Sequence, residues 1–71
     1  MKLKSNIGRL IKESGLRDEI FRESLNVKQH QLRKIKLGES FPTVPKLFLL
    51  AKILNCSVDQ LYDVIKEGEI E

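Results

Sequence analysis

Between Val27 and Leu37 the chain carries Lys28, Gln29, His30, Arg33 and Lys34 and no acidic residue. At about 100° per residue, Leu32 and Ile35 share one side of a helix here. The opposite side then carries His30, Arg33, Lys34 and Leu37, with Gln29 on its shoulder. Gln offers the donor and acceptor that match adenine, Lys and Arg match guanine or phosphate, and His serves either as donor or acceptor. Such a face suits a nucleic-acid groove. The plainer alternative is a solvated helix face that is merely basic, and this stretch alone leaves both open.

The elements that would hold this face follow from the flanking residues. Ile20, Phe21, Ser24 and Leu25 recur at helical spacing and give a preceding helix one apolar side. Asn26 and Val27 break the run, and Asn tolerates a left-handed backbone. Residues 17 to 37 therefore read as two short helices joined by a tight turn. Upstream, Ser5 or Asn6 caps a first helix with Ile7, Leu10 and Ile11 as its buried stripe and Gly15 as its terminator. Gly8 inside that helix implies a close helix approach. Downstream, residues 38 to 42 form a loop, and Thr43 caps a fourth helix that accepts Pro45 in its first turn. That helix is apolar almost all round, so it is central or covered by a partner. Asn55 and Cys56 make a turn, and Ser57 with Gln60 is a capping-box pattern opening a fifth helix through Leu61, Tyr62, Val64 and Ile65. Residues 1 to 4 and 66 to 71 are expected to fray, and no linker or repeat divides residues 1 to 71 into more than one domain.

Composition sets the outer limits. Seventy-one residues make one small domain, of a size at which a second subunit commonly adds stability. One Cys and one His exclude an internal disulfide and leave too few soft ligands for structural zinc. No cofactor is implied. No apolar run is long enough to span a bilayer, no secretion signal is visible, and the expectation is a cytoplasmic chain. The net charge of +3 is unevenly spread. Residues 1 to 36 hold ten Lys or Arg against four Asp or Glu, whereas residues 37 to 71 hold three against six. A polyanion would meet the first half.

Gly15-Leu16, the helix pair, Gly38, Pro42-Thr43, LAKILNCS and VDQLY stand in the order and spacing of the lambda-repressor and Cro-like helix-turn-helix family. The chain resembles that family over about residues 5 to 65. The resemblance implies an all-α fold, a compact five-helix bundle whose second motif helix enters the major groove, usually as a symmetric dimer on a two-part operator. It implies base reading by Lys28, Gln29, His30 and Lys34. Arg17, Arg33, Ser40 and Thr43 would lie at the DNA backbone or the edge of the reading face. Small stand-alone members of the family are frequent in phages and mobile elements, which points to a bacterial or phage-infected cell.

Departures from the family pattern are as informative as the matches. Arg22 stands where two helices touch and the family places Ala. Asp18 replaces a Gln that commonly grips phosphate, and its charge would repel DNA. Glu39 and Ser40 follow Gly38 where basic or polar residues are common. Ile11 and Lys36 replace an Arg and Glu that often pair, so that ion pair is absent. Lys28 replaces a Ser or Thr cap, which a phosphate would complete. Cys56 reads as a buried hydrophobe and Tyr62 as a packing aromatic.

Surplus apolar residues suggest a partner. Leu49, Ile53 and Ile65 are expected to form a self-association patch. The leading function is sequence-specific binding of double-stranded DNA, most simply as a Cro-like repressor. The rival is a protein-interaction module, an antirepressor or a subunit docking on a related repressor, favoured by Arg22, Asp18, Glu39 and the apolar surplus. No pair of groups stands ready for catalysis, so no enzyme is expected.

Overall fold

The computed structural model describes residues 2 to 65. In chain order the elements are β1 (Lys2–Ser5), α1 (Ile7–Ser14), α2 (Asp18–Leu25), α3 (Gln29–Leu37), α4 (Val44–Leu54), a single 3-10 turn (Val58–Leu61) and β2 (Tyr62–Ile65). The helices start and stop where local chemistry directs. α1, α2, α3 and α4 each end on a residue in the left-handed region, namely Gly15, Asn26, Gly38 and Asn55. Only Gly, and at some cost Asn, enters that region readily. Pro45 lies in the first turn of α4, where a missing N–H costs nothing.

Two expectations are overturned together. The fold is not a five-helix bundle, because the fifth helix is absent and a two-stranded antiparallel sheet stands in its place. Ser57 and Gln60 do form their cap, with the Ser57 N–H donating to Gln60 Oε1 at 2.8 Å, but the turn it opens is 3-10 and stops at Leu61. Tyr62, Val64 and Ile65 are aromatic and β-branched, types that fit a pleated strand better than a helix. Their partner is the segment expected to fray: Ser5 pairs with Tyr62, Leu3 with Val64 and Lys2 with Ile65. Residues 66 to 71, the other segment expected to fray, lie outside the described residues.

The core is Ile7, Ile11, Phe21, Leu25, Leu32, Ile35, Leu50, Ala51 and Leu61. It takes two residues from each helix and one from the 3-10 turn, so the four helices and the turn share one cluster. Asn6 is the buried polar exception. Its side chain caps nothing; instead its backbone N–H donates to Leu61 O at 2.8 Å and its Nδ2 to Gln60 O at 3.3 Å. This ties the start of α1 to the 3-10 turn. Gly8 allows the close approach read from sequence: a Cβ there would stand 3.3 Å from the Lys36 carbonyl oxygen of α3.

α4 is less enclosed than its composition implies. Leu50 and Ala51 are buried, and Leu47, Ile53 and Leu54 pack partly against the core. Val44, Phe48 and Leu49 are exposed, at 63%, 62% and 42%. No helix among the described residues is long and apolar enough to cross a membrane.

Candidate nucleic-acid interface

α2 and α3 are joined by Asn26, Val27 and Lys28. The N–H of Val27 donates back to Arg22 O at 3.0 Å and closes α2, while left-handed Asn26 turns the chain. Phe21 and Leu25 from α2 and Leu32 and Ile35 from α3 are all buried in the core, which fixes α3 by its inner side. Gln29, His30, Arg33 and Lys34 are exposed on α3. Leu37, exposed at 61%, ends this face.

Lys28 is the N-cap residue of α3 and is exposed. An ammonium only donates, so it cannot accept from the first turn of the helix. Gln31 supplies half of a capping box: the Lys28 backbone N–H donates to Gln31 Oε1 at 2.8 Å. With no acidic residue in that turn, the N–H groups at the start of α3 and the Lys28 ammonium lie together, a setting that favours an anion.

Asp18 is where sequence reasoning misses most. It does not stand as an open negative charge. Lys36 Nζ donates to both its oxygens, at 3.2 and 3.0 Å, and Gln29 Nε2 donates to Oδ2 at 3.2 Å. The Lys36 hydrogen bond first, then that of Gln29, holds the carboxyl below its ordinary range, against a smaller opposing effect of burial. Lys36, which lacks the family's ion-pair partner, thus has another. These contacts join residues 11 and 18 positions apart, and only the crossing of α2 over α3 brings them together.

The remaining candidates are dispersed. Arg17 is the exposed N-cap of α2 and Thr43 the exposed N-cap of α4, each without a side-chain capping bond. Ser40 is half-buried, and its N–H points back to Lys34 O at 3.4 Å. Arg22 is half-buried, and its Nε is buried with no hydrogen-bond partner among the described residues. The helix pair thus admits the large side chain but leaves one of its donors unsatisfied.

Of the three residues assigned to self-association, Leu49 is exposed, Ile53 packs partly on the core, and Ile65 is exposed in β2 rather than in a helix. Alternation along the strand gives Ile65 the same side as Asp63, opposite Lys2 and Lys4 in the register. On the other side of the sheet, Leu3, Tyr62 and Val64 join Phe41, Leu47 and Val58 to line an open cleft of about 490 Å³. The Phe41 and Tyr62 rings meet at 5.6 Å between centroids. Sequence reasoning missed this cleft because it depends on the sheet. Cys56 is half-buried beside the core, and burial pushes its thiol pKa up, which suppresses the reactive thiolate.

No protein-family model and no curated protein matches the chain, so the functional reading rests on these residues and their geometry.

Proposed function

We propose that the chain binds double-stranded DNA sequence-specifically, with α3 in the major groove, and acts as a small transcription regulator, most simply a repressor. One observation carries this reading: α3 is held by Leu32 and Ile35 while Gln29, His30, Arg33 and Lys34 stand exposed, and the carboxylate beside them is occupied by Lys36. Gln29, His30 and Lys34 read base edges, with Lys28 at the helix start. Arg17, Arg33, Ser40 and Thr43 meet phosphate or the edge of the site. Phosphate contacts supply affinity and base contacts supply specificity. Such a regulator works in the cytoplasm of a bacterial or phage-infected cell.

A symmetric dimer would place two α3 helices on a two-part operator. The outer side of α4 supports self-association, since Val44, Phe48 and Leu49 offer apolar area that a lone subunit leaves in water. The same area and the cleft beside Phe41 favour the second reading, a protein-interaction module with a related repressor as partner.

Binding to random-sequence duplex DNA across a salt series, with hydrodynamic mass measured alongside, separates the two. The DNA reading expects a dimer whose log affinity falls steeply with log salt. Lys34→Ala then lowers affinity and Gln29→Ala relaxes the sequence preference by roughly 5- to 150-fold at one base pair. No binding even at low salt would leave the interaction module.

A further inference from the structure

We propose that Asp18 is a positioning residue that turns the Gln29 amide to read adenine and reject guanine, while Lys36 neutralises the carboxylate that does so. This rests on the reading of α3 as the base-reading helix. An ionised carboxylate has acceptors only. With Asp18 Oδ2 at 3.2 Å, the Gln29 amide must therefore point nitrogen, not oxygen, at Asp18. A carboxylate is ionised at neutral pH in any case, and Lys36, which donates to both oxygens of Asp18, favours that form further.

One N–H of Gln29 is spent on this contact. What remains is Oε1 and the second N–H, one acceptor and one donor. Adenine presents the complement in the major groove, N7 as acceptor and N6–H as donor. Guanine presents two acceptors, N7 and O6, and would need both N–H groups of Gln29. A Gln without Asp18 can turn its NH2 outward towards guanine; here that rotation breaks a charge-assisted hydrogen bond.

Lys36 makes the arrangement compatible with DNA. An unpaired carboxylate next to a reading residue would repel the phosphates. Lys36 lies seven residues after Gln29 on α3, about two helical turns away, and reaches the same carboxylate. Arg22 adds a further positive charge that acts on Asp18. The cluster therefore orients Gln29 without leaving net negative charge at the interface.

The test begins with selection of an operator from a random duplex pool by the parent chain, followed by affinities for operators carrying each base change. Asp18→Asn replaces an acceptor-only group with an amide that both donates and accepts, so Gln29 can turn over. The expected result is an adenine-over-guanine preference reduced about tenfold at one base pair of each half-site, with other positions unchanged. Affinity for random-sequence DNA should rise, because Lys36 is released to the phosphates. A loss of folded protein would not move these two readouts in opposite directions. Gln29→Ala should erase the preference at the same base pair, and adding Asp18→Asn to it should change nothing further there. Lys36→Met should weaken binding to all sequences alike. An operator read by Asp18→Asn with its preferences intact, or with preference lost evenly at many positions, overturns the inference and leaves the DNA reading standing. A parent chain that binds no duplex at low salt overturns the DNA reading, and the inference falls with it.

Discussion

Asp18 shows how one side chain changes meaning between sequence and fold. In the sequence it is an acid set against a polyanion; in the fold it is the shared acceptor of Lys36 and Gln29. Its carboxyl is held below the ordinary range, so the stability it contributes is present above the unfolded value and is lost as pH falls through the lower folded value. A partly exposed ion pair of this kind contributes up to about 1 kcal/mol. Thermal unfolding of the parent and of Asp18→Asn should therefore differ at pH 7, with the parent more stable, and the gap should close as pH is taken downward from about 4. A gap that persists at pH 2 would mean that Asp18 acts through packing and not through its charge.

At the scale of elements, Gly38 couples the end of α3 to β1. It sits at φ 84°, and a Cβ there would stand 3.2 Å from the Cβ of Ser5. Ser5 is itself committed, donating from Oγ to Ile35 O at 3.3 Å and accepting from the Ile7 N–H at 3.2 Å. Gly15 has a similar backbone, φ 75°, with nothing within 4 Å of the same virtual atom. Both substitutions to Ala incur a left-handed backbone cost of about 1 to 2 kcal/mol, and Gly38→Ala adds the contact with Ser5. Urea unfolding midpoints should therefore fall for both, and further for Gly38→Ala. This contrast also marks what the sequence makes legible. The helix ends at Gly15, Asn26, Gly38 and Asn55, the cap at Ser57, and the inner residues Phe21, Leu25, Leu32 and Ile35 are local signals written within a turn or two. β2 was not legible, because Leu61, Tyr62, Val64 and Ile65 fit helix and strand spacing equally over so short a run. The arbiter is β1, which lies at the other end of the chain. The candidate face on α3 was legible for the same local reason, whereas the contact of Asp18 with Gln29 and Lys36 depends on how two helices cross.

For the whole molecule, the sheet closes the chain on itself: Lys2 pairs with Ile65 and Ser5 with Tyr62, and Asn6 is bonded to Gln60 and Leu61. Removal of residues 1 to 4 should leave the four helices in place. Amide hydrogen exchange at Tyr62 to Ile65 should then approach that of open chain, while protection in α2 and α3 stays near that of the parent. Loss of protection throughout would show that the sheet is required for the helices to pack. The same closure bears on how the protein is made. Synthesis is vectorial, so β1 emerges before the helices, while its partner strand follows all four of them. Contacts within α2 and α3 can form early because they span few residues, whereas the strand pairing must wait for a loop of most of the chain to close. Until then Leu3 has no partner strand, and two copies of this segment paired antiparallel about Leu3 would set Lys2 against Lys4, a like-charge contact that disfavours such a pair.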